Sequence, residues 1–254
     1  LSLATVGLDS HRRVQITIWN VEALITAKMT ESSSHATVVA KQTSDFPISK
    51  IKFSPLDAQV SGEGQSTALI SLMRSSKNLV SCGRENVRFW RVKKEHLPGS
   101  PGILNDHGRG TLFTDLAVAP MPGAVPGARK DSNQIQLFVA TDNGSLLQFD
   151  YTKRTVLAIF KIHNQAIRAL QYSSGGYIVT GSDDCALRMW PLDFSDFLLE
   201  AHHEAPVTSL ASSQDGQTVL VGTASGTLGV LDVSNQGYRT TVRSHVGPVI
   251  GVAA

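Results

Sequence analysis

The sequence predicts an all-β protein built from stacked four-stranded antiparallel sheets, a β-propeller, and three observations carry that prediction. The second half aligns with itself at a period of about 40 residues. Within each period, short runs alternate apolar and polar residues and are separated by turn formers. The composition agrees: of 254 residues, 21 are Gly, 10 are Pro, 41% are apolar and 17% charged, while long helix-favouring runs are missing.

The repeat is clearest in AIRALQYSSGGYIVTGSDDCALRMWPL (166–192) and PVTSLASSQDGQTVLVGTASGTLGVLDV (206–233). FTDLAVAP (113–120) with IQLFVATDNGSLLQFDY (135–151) follows the same order. Each has an alternating strand, a turn, an apolar strand ending in small residues, a tight polar turn, and a third strand ending in an aromatic residue or Leu. A fourth strand is expected at VLAIFKI (156–162), FLLEAH (197–202) and YRTTVRS (238–244). One such sheet cannot bury both faces, and radial stacking solves that. A sandwich would use similar strands but does not require matching signatures at fixed spacing.

The first half is a worn version of the pattern. LSLATVGLD (1–9) and VQITIWNV (14–21) read as second and third strands, with a fourth at ALITAKM (23–29). ISKIKFSP (48–55), NLVSCGREN (78–86) and VRFWRVKK (87–94) begin the next sheet. Polar insertions at 56–68 and 121–133 interrupt the period. The strand count yields blades at approximately 1–30, 46–105, 112–162, 165–203 and 205–245, with PVIGVAA opening another at 247–254. The chain therefore reads as one segment, 1–254: a partial ring, or part of a larger seven-bladed or tandem propeller.

Composition also excludes several classes. No apolar run approaches the ~18 residues that span a bilayer. The start lacks an initiator Met and a charged leader. Cys82 and Cys185 have neither metal-site nor oxidoreductase spacing, which suits a reducing compartment. The net charge is +2, but residues 71–96 carry seven Lys or Arg against two Glu, and residues 181–204 carry one Arg against six acids. The surface should be electrostatically two-sided.

At GSDDCALRMW (181–190) the sequence resembles the WD-repeat family. The resemblance implies that His163, Ser182, Asp184 and Trp190 form the family's structural tetrad. Imidazole, hydroxyl, carboxylate and indole can satisfy one another when buried. His203, Thr223 and Ser225 match a partial tetrad in the following repeat, where Leu231 replaces Trp and Asp232 keeps the Asp of the Trp-Asp pair. Thr141, Asn143, Phe149 and Asp150 match in the repeat before. Trp19 and Trp90 end third strands whose preceding turns depart from the family's length. LATVGLD with ITIWNVEAL, LVSCGRENVRFWRV, and GTLGVLDV with YRTTVRSHVG are similar to the microtubule-associated branch, which includes EMAP-like, ciliary and centriolar members.

Catalytic signatures are missing: no phosphate-binding G-x-x-x-x-G-K-[ST], no H-E-x-x-H and no G-x-S-x-G occurs. Adjacent His202 and His203 on an extended segment point opposite ways, which disfavours a metal pair. In Asp183-Asp184 one carboxylate should face the tetrad and the other solvent, so neither the pair nor Ser182 with His163 reads as an exposed catalytic set. No catalytic residue, metal or cofactor is expected.

Partner-facing positions implied by the resemblance are Gln165, Asp183, Glu204 and Ala224. The basic run Arg84, Arg88, Arg91, Lys93 and Lys94 is the solvated side of a strand, or a cationic patch for an acidic surface such as tubulin. Near-neutral charge and sparse aromatics argue against nucleic acid. The resemblance implies a non-enzymatic interaction scaffold, cytoplasmic and cytoskeletal, at the centriole, basal body or cilium, with other proteins as partners, among them tubulin or microtubule-associated proteins. A substrate-recognition or signalling adaptor, as in a ubiquitin ligase, is the alternative.

Overall fold

The computed structural model describes residues 2–22, 35–54, 78–120, 135–235, 237–243 and 245–253. The chain forms two compact units, Leu1–Leu104 and Asn105–Ala254. Every sheet in both is an antiparallel meander, in which each strand pairs with its neighbours in sequence.

The first unit holds two sheets. One runs β1 (Ser2–Leu8), β2 (Val14–Asn20), β3 (Thr37–Ser44). The other runs β4 (Lys50–Ser54), β5 (Asn78–Gly83), β6 (Asn86–Arg91), β7 (Gly99–Pro101). Between them Ile16, Ile18, Ala40, Leu79, Trp90 and Leu97 form a buried apolar cluster. The partner of β2 is TVVAKQTS, rather than the expected ALITAKM, which lies outside the described residues, as do both predicted insertions. Thr37, Val38, Val39 and Thr43 give β3 a β-branched character suited to a pleated edge.

The second unit holds three four-stranded sheets. After a 3-10 turn at Asn105–Gly108 come β8 (Phe113–Pro120), β9 (Ile135–Thr141), β10 (Ser145–Asp150) and β11 (Thr155–Lys161). The next sheet is β12 (Ile167–Ser173), β13 (Tyr177–Ser182), β14 (Ala186–Pro191) and β15 (Leu199–His202). The last is β16 (Val207–Ser212), β17 (Thr218–Thr223), β18 (Thr227–Asp232) and β19 (Gly237–Arg243).

The period of two sorts the side chains of the middle sheet onto its two neighbours. Ile178 and Trp190 join Phe138, Ala140, Leu146 and Phe194 on one face. Tyr177, Val179, Leu187 and Met189 join Val207, Val219, Val221 and Leu231 on the other. Phe194 is the hub of the first cluster, with ring centroids 5.3 Å from Phe138, 4.8 Å from Phe160 and 6.0 Å from Trp190. Such offset contacts add about 0.5–1.5 kcal/mol each beyond area burial.

The first and second strands of one sheet meet the innermost strand of the next through small residues and side-chain bonds. A Cβ on Gly181 would lie 2.2 Å from Val207 Cγ1, so this strand can approach its neighbour only without a side chain there. Asp115, 4% exposed, accepts from the backbone N–H of Leu116 at 2.7 Å and of Leu170, on the next sheet, at 3.0 Å. Thr114 Oγ1 donates to the Ile167 carbonyl at 2.5 Å. Thr208 Oγ1 repeats that bond to the Val249 carbonyl, also at 2.5 Å, and Val249 sits against Gly222 as Val207 sits against Gly181. Val249 thus takes the place of an innermost-strand residue, although residues 248–253 form no ladder.

Candidate functional site

The middle sheet of the second unit carries a buried polar chain. Trp190 Nε1–H donates to Thr180 Oγ1 at 2.9 Å, and Thr180 Oγ1 lies 2.7 Å from His163 Nε2. His163 Nδ1 lies 2.9 Å from Asp184 Oδ2. The carboxylate can only accept, which places the imidazole hydrogen on Nδ1; Nε2 then accepts the Thr180 hydroxyl hydrogen, while Oγ1 accepts from the indole. Every group is then satisfied with a neutral imidazole and an ionised Asp184. Burial lowers the His163 pKa below its ordinary 6.5 against the pull of Asp184. Burial pushes Asp184 up, but His163 and the backbone N–H groups of Asn164 and Ala186 outweigh it, leaving the carboxyl below its ordinary value.

The hydroxyl in this chain belongs to Thr180, which corrects the expectation of Ser182. Residues 180 and 182 lie on the same face of β13, so the alternation fits both, but only Thr180 pairs two positions before the indole, opposite Arg188. Ser182 caps the turn instead, donating to the Gln165 carbonyl at 3.3 Å and accepting from Asp184 N–H at 3.1 Å. Arg188, missed by the sequence reading, lies over this chain: it donates to the Ile162 carbonyl at 2.5 Å and to Glu200 at 2.7 Å.

The indole-to-hydroxyl link recurs in the first unit, at Trp19 to Thr5 (2.8 Å) and Trp90 to Ser81 (2.8 Å). In all three sheets the hydroxyl pairs with the residue two before the Trp. Where the Trp position holds Phe149 or Leu231, the hydroxyl position holds Val139 or Val221. A side chain without an N–H needs no acceptor, and a buried hydroxyl beside it would be a cost.

The partial tetrad is rearranged accordingly. With Val221 in place of a hydroxyl, His203 Nε2 is buried without a hydrogen-bond partner, and Nδ1 turns to Tyr238 OH at 3.0 Å. Burial raises the Tyr238 pKa to about 12, and burial, with the charge of His202, lowers that of His203. Thr223 and Ser225 bond each other at 3.0 Å and Thr223 accepts from Thr227 N–H at 3.1 Å, stabilising the turn rather than joining His203. Thr141 and Asn143 do the same at 2.8 Å, and Asp150 caps the turn after β10 through Thr152 and Lys153 N–H, both 2.9 Å.

The four proposed contact positions lie at one end of their sheets, in the tight turns and the segments that enter the innermost strands. Asp183 N–H donates to Ala166 (2.8 Å) and Ala224 N–H to Pro206 (2.9 Å), holding each turn beside that segment. Gln165 and Glu204 are exposed, whereas Asp183 and Ala224 are half-buried. Asp183 is engaged by Arg168, whose Nε reaches both carboxylate oxygens at 2.9 Å. Cys185 occupies the left-handed turn position (φ 64) that Gly144 (φ 83) and Gly226 (φ 85) hold in neighbouring sheets. Neither Cys185 nor the buried Cys82 is in a disulfide.

The basic run does not form one patch. Arg84 sits in the β5–β6 turn, Arg91 ends β6 and Lys93 and Lys94 follow it, and a strand of that length separates the two groups by about 20 Å. Arg88 is half-buried, with its guanidinium 4.9 Å from the Phe46 ring centroid and 5.7 Å from that of Trp90.

The model of the WD domain, G-beta repeat, matches residues 154–191 and 196–232. The chain is 35% identical over 258 residues to Centriole proteome protein 16 of Chlamydomonas reinhardtii, covering 96% of the chain and 11% of that protein. It is 31% identical over 266 residues to WD repeat-containing protein 90 of Xenopus tropicalis (98% of the chain, 13% of that protein). The human protein of the same name is also 31% identical, over 270 residues. The chain thus spans about an eighth of the length of these relatives. Among solved structures, a chain of the "Crystal Structure of Mitotic Checkpoint Complex" superposes with a TM-score of 0.63 at 12% identity, over 96% of this chain and 61% of that one, which establishes likeness of fold. Repeated four-stranded meanders, the buried indole-to-carboxylate chain and the matched repeats lead to one conclusion: the chain belongs to the WD-repeat family.

Proposed function

We propose that the chain is a non-enzymatic interaction scaffold, a single propeller segment that works within a microtubule-based structure at the centriole, basal body or cilium. The observation that carries this reading is the similarity to Centriole proteome protein 16 along 96% of the chain. The geometry supports the mechanism. Residue types that could serve catalysis are already engaged: His163 and Asp184 satisfy each other, Ser182 caps a turn, and Asp183 is paired with Arg168. What remains for partners is a rigid frame with loops whose exposed residues, Gln165 and Glu204 among them, provide contact.

Expression of the tagged chain in ciliated cells tests the location, with enrichment at centrioles expected; a diffuse distribution counts against the reading. Pelleting with polymerised tubulin at low salt, where charge contacts are strongest, tests direct contact. A chain left in the supernatant excludes tubulin as its immediate partner.

A further inference from the structure

The first unit has a cationic corner that strand pairing assembles from distant parts of the sequence. Past β6 the chain turns tightly: Lys93 N–H donates to the His96 carbonyl at 2.8 Å and His96 N–H to the Lys93 carbonyl at 2.7 Å, with Lys94 and Glu95 at the tip. The turn is anchored from beneath by Val92 and the fully buried Leu97, which pack in one cluster with Val39 and Ala40. Glu95 also forms a parallel bridge with Ala40 on β3. Paired backbones run about 5 Å apart, so Lys41 stands beside the tip.

Lys41, Arg91, Lys93, Lys94 and His96 are all exposed, and none has a carboxylate at ion-pairing distance among the described residues. Among the described residues, four cationic side chains and an imidazole therefore gather about one carboxylate, Glu95, on a turn fixed by backbone bonds and a buried leucine. Clustered, unpaired charge of one sign raises the local concentration of its opposite and favours whatever anion can settle among several of them at once. The backbone of the turn is already fixed, so little of that attraction is lost to ordering it.

We propose that this corner, Lys41 with Arg91, Lys93, Lys94 and His96, binds an acidic peptide segment, a run of Asp or Glu in extended conformation on a partner protein. The partner's being a protein rests on the scaffold reading above; the location rests on the Ala40–Glu95 bridge alone. A peptide fits better than a nucleic acid strand because, among the described residues, the corner presents no aromatic face for base stacking, the nearby Trp90 being 3% exposed. Arg84 and Arg88 are not part of it: one lies at the far end of β6, and the other is stacked on Phe46.

Fluorescence anisotropy of a labelled deca-glutamate peptide with the 254-residue chain, at about 20 mM and about 200 mM salt, tests the site. Lys93→Glu combined with Lys94→Glu is expected to weaken binding by about tenfold or more, and Lys41→Glu alone by a few-fold, with weaker binding at the higher salt. The control pair, Arg84→Glu with Lys153→Glu, makes the same charge change and should stay within about twofold. Circular dichroism verifies that each variant is folded. Equal loss in both pairs, an unaffected Lys41→Glu variant, no peptide binding, or tighter binding of a single-stranded oligonucleotide of equal charge overturns the proposal. A chain that binds the peptide through this corner yet fails to pellet with microtubules keeps the site and loses only tubulin as its partner.

Discussion

Thr180 and Ser182 are two residues apart, and their difference shows how finely a buried polar chain is placed. Thr180→Val keeps the shape but leaves the Trp190 N–H and His163 Nε2 without a common partner, at a cost of roughly 2–4 kcal/mol. Ser182→Ala removes one turn-capping hydroxyl and should cost about 0.5–1.5 kcal/mol. Urea unfolding of the two variants checks the order, and a reversed order would return the tetrad role to Ser182. Trp190→Ala removes the ring as well as its bond, so about 3–5 kcal/mol is expected. His163, Asp184 and Trp190 were legible because their residue types and spacing are distinctive. Thr180 was not, since a period of two cannot tell one hydroxyl from the next on the same face. The clue lay in the matching exchange of Trp with Thr or Ser, and of Phe or Leu with Val, across five sheets.

Single strands show the same economy. Gly229 in β18 has no room for a side chain: a Cβ would fall 1.8 Å from Tyr238 OH, the group that holds His203 Nδ1. Gly229→Ala should therefore displace the phenol, cost about 1–3 kcal/mol, and return the Tyr238 pKa from about 12 toward its ordinary 10.0. Spectrophotometric titration reads this directly, and an unchanged highest-titrating tyrosine would contradict the close packing of β18 on β19. The meander of each sheet was legible from alternation and turn residues. The third strand of the first sheet was not, because ALITAKM and TVVAKQTS both satisfy a strand pattern and only the three-dimensional register selects between them. Arg188 and Asp115 were missed for a related reason: single charged residues on strands usually face water, and nothing local announces a partner on the next sheet.

For the folded chain as a whole, buried His163 and half-buried His203 set a pH dependence. His163 and His203 both have pKa values lowered by burial, so the fold holds them neutral while the unfolded chain protonates them near 6.5. Their contribution to stability is intact above about pH 7 and declines as pH falls below 6.5, by at most about 1.4 kcal/mol per unit for each, with His203, more open to water, giving less. Asp184, shifted down, keeps its contribution until pH falls below 3.8. Melting temperatures between pH 8 and 5 test this: a monotonic fall below 6.5 is expected, and a rise on acidification would mean the imidazoles gain rather than lose on folding. The repeat architecture was legible at this scale because stacking units of one kind leaves a period in the sequence, whereas the cationic corner was not, since Lys41 and Lys94 are separated by more than a period and meet only through pairing.

The bridge between Ala40 and Glu95 has a second effect, independent of charge. An outermost strand such as β3 offers unpaired backbone amides and carbonyls along its free side, a template onto which a strand from another molecule can add. The 93–96 turn occupies the middle of that side, and Lys41 stands next to it with a charge that an incoming strand would have to bury. The same few residues that gather positive charge thereby guard the first sheet against edge-to-edge aggregation.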